Sequence, residues 1–295
     1  MKNKCFVKEA SVLLIITIIL SSVGAMAAYT QQQTATGTAV TSGTTWYVHP
    51  GESIQAAIDA ASPGDTVYVY NGTYYGDISI DKSIKLIGED KHNTIIDGEG
   101  AFDVVEIDDT ILVTISGFTI RNGLYKGIAI DPNTNCNKIT GNIITNCGGG
   151  IYIWDSNYNT VYNNVVIYND DVGIMITDGH SNIIWGNIIT NSDEGIELCF
   201  AGLNVIGGTD WKQNTISNNH IGIYVDFCLY MESTLRENNN FSGNDIDIYG
   251  AIPDNADQSI PSSQPITTQQ STPAATIPTS TPATTTSKSS LPTSR

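Results

Sequence analysis

The chain has 295 residues, with 30 acidic against 13 basic side chains and a formal charge of −17. So acidic a balance repels polyphosphate and argues against nucleic acid as a partner. The composition of both ends differs from that of the middle, so the folded part is shorter than the chain.

Lys2, Lys4 and Lys8 precede an apolar run from Val12 to Leu20, and Ala25-Met26-Ala27 follows it. A basic head, an apolar stretch and a small-residue exit make residues 1–27 read as a secretory signal peptide. The run is far short of the ~20 residues that span a bilayer, so no membrane span is expected after its removal. The product is then secreted or at the cell surface, and its 10 basic and 29 acidic residues leave a charge of −19. Residues 28–44 are rich in Gln, Thr and Gly and read as a flexible linker.

A folded domain is expected over 45–254. It opens on SIQAAIDAA, where Ile54, Ala57, Ile58 and Ala61 fall at helical spacing. Pro50-Gly51 and Ser53 start this helix and Pro63-Gly64 end it. A first turn of stacked strands would otherwise leave an open core, so the helix reads as a cap. TVYVY, DISI, IKLIGE, TIID, VVEI and VTISGFTI then alternate as short strands.

From Gly127 onward the chain repeats itself. Residues 150–164, GIYIWDSNYNTVYNN, overlay residues 173–187, GIMITDGHSNIIWGN, Gly on Gly and Asn on Asn. Gly-Ile-x-Ile or a close variant starts at Gly127, Gly150, Gly173, Gly195 and Gly222, at intervals of 23, 23, 22 and 27, and Asp245-Ile-Asp-Ile follows 23 later. Asn-x-Ile units at Asn137, Asn159 and Asn182, and Asn-Ile-Ile units at Asn142, Asn164 and Asn187, lie between them. Each period therefore holds three short strands. That count is too many for a leucine-rich horseshoe, and the period is too short for a propeller blade of about 40 to 45 residues. A three-sided parallel β-solenoid remains, with successive coils about 4.8 Å apart. Asn122, Asn146, Asn169, Asn191, Asn218 and Asn244 are taken as one turn position forming a buried ladder. The long interval contains GGTDWKQ, a loop whose Trp211 either flanks a site or tucks over the coil edge. Residues 255–295 are Ser/Thr/Pro-rich and read as a disordered tail.

SIQAAIDAASPGDTVYVYNGTYYGDISIDKSIKLIGE, followed by GNIITNCGGGIYIWDSNYNTVYNN, resembles the right-handed parallel β-helix proteins of the pectin-lyase-like superfamily. Within it the chain is most similar to the NosD-like group, whose label is copper binding. The resemblance covers about residues 46–250 and implies an all-β, right-handed, three-sided parallel β-helix. It is specific for fold and weak for function.

Copper is not carried over from the resemblance, because His49, His92, His180 and His220 share no neighbouring coil position and Met175 stands alone. Similar folds include polysaccharide lyases, which need a cation held by carboxylates and an Arg or Lys base. None of the domain's Arg or Lys residues falls by phase beside the paired turn carboxylates Asp171 and Asp193. In Gly-Ile-x-Ile-z, positions x and z are expected to face solvent, where they place Tyr152, Trp154, Glu197, Tyr224 and Asp226 on one face. Aromatic rings stack on sugar C–H faces and carboxylates accept hydroxyl hydrogen bonds, although β-propensity alone also puts Tyr and Trp on strands. Asp171 and Asp193 sit two residues before successive glycines, and calcium is the cation that suits them; two solvated carboxylates are the plainer alternative. Cys199 and Cys228, on consecutive coils, are the favoured disulfide pair among four mature cysteines. The functional expectation is a non-catalytic surface module binding a polysaccharide or cell-envelope glycan. A polysaccharide lyase or glycosidase and a purely structural envelope component stand as alternatives.

Overall fold

The computed structural model describes residues 43–253. The expected signal peptide, nearly all of the linker and the tail lie outside the described residues. Among the described residues, 24 short strands form three sheets of eight, and all neighbouring strands pair in parallel. Sheet A carries the Asn-x-Ile strands, such as Lys138–Thr140 and Ile183–Trp185; sheet B the Asn-Ile-Ile strands, such as Ile143–Thr145 and Ile188–Thr190; sheet C the Gly-Ile-x-Ile strands, such as Gly149–Trp154 and Glu194–Cys199. This is the three-sided parallel β-solenoid that the period predicts. No helix among the described residues is long and apolar enough to cross a membrane.

Register sets aliphatic residue on aliphatic residue. Ile115, Ile139, Val161 and Ile184 stack in sheet A; Ile120, Ile144, Val166 and Ile189 in sheet B; Ile130, Ile153, Ile176 and Leu198 in sheet C. All are buried in one continuous core. The repeated glycine has a steric cause. A Cβ on Gly173 would lie 2.6 Å from the Gly195 carbonyl oxygen and 2.6 Å from Ile189 Cγ2, and Gly127, Gly150 and Gly195 face the same crowding. At that position the sheet C backbone runs against side chains of sheet B.

The helix α1, Ile54–Ala60, is capped by Ser53, whose side chain accepts from the Ala56 N–H, and it buries Ile54 and Ile58. Its Gln55 side chain meets the first strand of sheet C, Ile78–Ile80: Nε2 donates to the Ser79 carbonyl at 3.1 Å and Oε1 accepts from the Ser79 N–H at 2.9 Å.

The asparagines form buried ladders, but at phases other than the expected one. The N–H of Asn137 donates to Asn159 Oδ1, that of Asn159 to Asn182, and that of Asn182 to Asn204, each at 2.8 Å. A second column runs Asn142, Asn164, Asn187 and Asn214 at 3.0 Å per step, with each Nδ2 also donating to a backbone carbonyl. The six asparagines expected as one position fall into two. Asn122, Asn146, Asn191 and Asn218 take positive φ of 53 to 61° at an outward turn. Asn169 and Asn244 occupy the next, inward position, where their Oδ1 atoms accept from Cys147 and Asn219. A one-residue slip between the two phases exchanges turn chemistry for ladder chemistry.

The two kinds of asparagine should respond differently to substitution. Asn187→Ala leaves buried backbone and amide groups without partners and is expected to lower the unfolding free energy by about 3 kcal/mol. Asn146→Gly keeps a left-handed turn and should change it by less than about 0.5 kcal/mol. Urea unfolding of the two variants checks both values.

Candidate functional site

The outer surface of sheet C is built from two kinds of side chain. Along its centre, register stacks Glu106, Ala129, Tyr152, Met175, Glu197 and Tyr224. The last turn departs from the expected phase, because Tyr224 pairs with Tyr249, so Tyr249 rather than Asp247 continues the column. The rings of Tyr224 and Tyr249 stack at 5.6 Å.

Position x does not uniformly face solvent, which corrects the expectation. Ala129 is wholly buried and Tyr152 is 6% exposed. Tyr152 lies flat over Gly149, where an added Cβ would come within 2.5 Å of the ring. Its hydroxyl donates to Asp171 Oδ2 at 3.2 Å, and the Tyr125 ring meets it edge-on at 5.6 Å. Burial, then the Asp171 carboxylate, pushes the Tyr152 phenol far above its ordinary value. Trp154, by contrast, is 53% exposed.

Trp154 borders a cleft of about 510 Å³, also lined by Phe102, Tyr125, Lys126, Asp131, Tyr152, Met175 and Thr177. Phe102 and Tyr125 pack at 4.9 Å. Lys126 is in register with Asp103 and its ammonium lies 3.4 Å from that carboxylate and 5.7 Å from the Tyr152 ring centre. Burial raises Asp103 above its ordinary value despite Lys126. Glu106 is raised by burial and then by the adjacent Asp131 carboxyl. Phe102 and Tyr125 were not among the expected site residues, and Lys126 was weighed only as a lyase base and set aside, since all three lie before the Gly-Ile-x-Ile motif. The register of Lys126 under Gly149 was their only signal.

Next to the cleft the surface becomes acidic. Asp171, Asp193 and His220 do occupy one column: the Glu194 N–H donates to the Asp171 carbonyl and the Ile221 N–H to the Asp193 carbonyl. Their neighbour Glu194, absent from the expected site, sits at the centre of the charge. Burial, then Glu197, Asp171 and Asp193, pushes its carboxyl up to about 7. Glu197 is raised by burial and by Asp171 and Asp226. His220 is raised by its hydrogen bond with Asp245, 2.9 Å away.

Asp171 and Asp193 supply two side chains, whereas calcium takes about 6 to 8 oxygens. Among the described residues no three His, Cys, Asp or Glu side chains converge on a metal-sized point. Cys199 pairs in register with Asp226 rather than with Cys228; the Cys228 sulfur accepts from the Ala201 N–H, and both residues are thiols in this structure.

Fold and surface together define a three-sided parallel β-solenoid protein with an aromatic and acidic sheet face. Residues 58–268 match the family model of NosD, described as periplasmic copper-binding protein, and the chain belongs to that family. No curated protein matches the chain. An alginate lyase from Paenibacillus sp. str. FPU-7 is similar at 15% identity and a TM-score of 0.45, over 70% of this chain and 96% of that one. The PL6 family alginate lyase AlyGC is similar at 16% identity and a TM-score of 0.40, over 64% of this chain and 32% of that one. ORF18 of Geobacillus virus E2 is similar at 17% identity and a TM-score of 0.29, over 68% and 57%.

The family description raises copper, and the donor set does not fit it. His49 stacks on Tyr70, His180 Nδ1 contacts the Gly202 backbone, His220 holds Asp245, and His92 sits in the turn that Asp90 organises. Among the described residues no three His, Cys, Asp or Glu side chains converge, and each histidine is engaged elsewhere, so these residues do not assemble an imidazole copper centre.

The raised Glu194 gives a pH signature. Its folded value lies above that of an unfolded glutamate, so its contribution to stability is present at low pH and is lost as pH rises from about 4.5 to about 7. Glu194→Gln should therefore raise the melting temperature relative to the parent at pH 8 but not at pH 4. Paired melts at the two pH values measure the difference.

Proposed function

We propose that this protein is an exported, non-catalytic β-helix module that binds a glycan in the sheet C cleft. The observation that carries the reading is Trp154, exposed beside Phe102 and Tyr125 in a cleft whose polar groups are Lys126, Asp131 and Thr177. An exposed indole presents a face for sugar C–H groups, and the flanking carboxyl, ammonium and hydroxyl groups suit sugar hydroxyls. Glu194, Glu197 and Asp171 beside the cleft disfavour an anionic sugar there, so the ligand is neutral or amino-substituted. Export rests on the basic head and apolar run of residues 1–27 and agrees with the periplasmic description of the family. Calcium between Asp171 and Asp193, its shell completed by backbone oxygens and water, would neutralise part of the acidic edge of the same surface and leave Glu194 and Glu197 as its acidic groups.

Trp154→Ala should abolish most of the affinity for the best neutral ligand on a glycan array while the melting temperature moves by no more than a few degrees. Tyr152→Ala would not serve as a clean binding test, because that ring is buried and its loss should lower stability as well. A purely structural role would leave the array blank.

Turnover is the second reading, favoured by one observation: Glu194 titrates near neutrality beside Glu197, as a general acid requires. An enzyme must release new reducing ends or unsaturated products with time, and Glu194→Gln should stop that release while leaving binding intact. Binding without product in the parent would leave the module reading alone.

A further inference from the structure

We infer that the outer face of sheet A carries a second, separate binding site, for a carboxylate-bearing sugar, formed by Lys138, Tyr162, Trp185, Trp211 and Lys212. Its residues come from four successive coils. Tyr162 is in register between Thr140 and Trp185, and Lys138 stands two residues before Thr140 on the first of these strands. Trp211 and Lys212 come from the long loop, in the 3-10 turn Asp210–Lys212, which is anchored when the Gly186 N–H donates to the Lys212 carbonyl at 3.1 Å.

Stacking along the coil axis builds an aromatic row. Tyr162 and Trp185 lie face to face at 4.6 Å and 13°, and Trp211 meets Trp185 edge-on at 5.0 Å. Trp211 is 70% exposed, so it does not tuck over the coil edge; it stands out from the sheet with a free face. A cation sits at each end of the row: the Lys138 ammonium is 5.2 Å from the Tyr162 ring centre and that of Lys212 is 5.4 Å from the Trp211 ring. Burial acts to raise the Tyr162 phenol, but hydrogen bonding to Lys138 and Thr140 outweighs it and brings the phenol below its ordinary value.

Charge adds to the aromatic row. Lys82, Lys126, Arg121 and Arg236 each pair with a carboxylate. Among the described residues Lys138 and Lys212 form no such pair, as is also true of Lys85 and Lys91; what sets Lys138 and Lys212 apart is that each ammonium lies over an aromatic ring of the row. Two unneutralised ammonium groups, about three coils or roughly 14 Å apart, bracket apolar rings. A sugar whose C–H face lies on Trp211 would bring a ring carboxylate within reach of Lys212, and a further residue of the same chain would reach Lys138. Nucleobases fit less well, because the rings already touch one another and leave no slot between them, and the acidic domain repels a polyphosphate backbone. The site shares no residue with the sheet C cleft and takes a ligand of opposite charge preference.

The test is calorimetric titration of the full chain with a galacturonate oligosaccharide, its carboxyl-reduced counterpart and a single-stranded oligonucleotide of similar length. The galacturonate should bind with an affinity that falls as salt rises, and the reduced sugar about tenfold more weakly. Trp211→Ala and Lys212→Gln should each weaken galacturonate binding about tenfold with an unchanged far-UV spectrum, whereas Trp154→Ala should not affect it. No galacturonate binding, equal affinity for the reduced sugar, tighter binding of the oligonucleotide, or undiminished binding by Lys212→Gln would each overturn the assignment. Because Trp154→Ala acts only on the other face, failure here leaves the sheet C reading standing, and the reverse also holds.

Discussion

Everything in this molecule depends on parallel stacking at one coil spacing. When each strand pairs in register with its counterpart about 4.8 Å away, every side chain has its own repeat equivalent as nearest neighbour. Only residues that pack well against themselves can fill the inward positions. Isoleucine does so by shape. Asparagine does so by hydrogen bonding, because its amide offers an acceptor to a backbone N–H and a donor to a backbone carbonyl of the preceding coil, as in the column from Asn164 to Asn214. Glycine recurs in sheet C for the opposite reason, since no side chain fits there at all.

The same rule governs the outer faces, where its consequences diverge with chemistry. Stacked rings attract, and the Tyr162–Trp185 and Tyr224–Tyr249 pairs show that geometry. Stacked carboxylates repel, and a coil spacing gives them no room to separate. Glu194 answers by holding its proton up to about pH 7, while Asp171 accepts a hydroxyl hydrogen bond from Tyr152. Elsewhere a lysine interrupts the acid, as Lys126 does against Asp103. Sheets that differ only in their outward residues thus acquire different electrostatic surfaces on one backbone.

Period and alternation were enough to read the three sheets, the aliphatic columns and the helix with its Ser53 cap. Phase was harder. Asn191 and Asn169 look alike in sequence, yet one is a left-handed turn residue and the other a ladder member one position further in. A period constrains spacing modulo the turn and leaves a one-residue ambiguity wherever two asparagines adjoin. Tyr152 was read as facing solvent, but its neighbour Gly149 leaves space for the ring to lie down and be buried, a feature that alternation does not encode. Glu194 and Lys126 were visible in the sequence but were not chosen as site residues, because their significance lies in which carboxylate faces them across coils.

The stacking rule also accounts for the places where it is broken. Ser192 follows Asn169 in its column but is too short to continue the ladder, and its buried hydroxyl has no partner. Asn159 keeps its ladder bond yet leaves Nδ2 unpaired, because the Thr134 carbonyl, which stands in its path, already accepts from Asn137 Nδ2 and Ser156 Oγ. Among the described residues no sheet C strand precedes Ile78–Ile80, and an amide again meets its backbone: Gln55 presents its own donor and acceptor to Ser79. One functional group thus serves two purposes in this fold. Inside, it ties coil to coil at the corners; at the edge, it satisfies the Ser79 backbone.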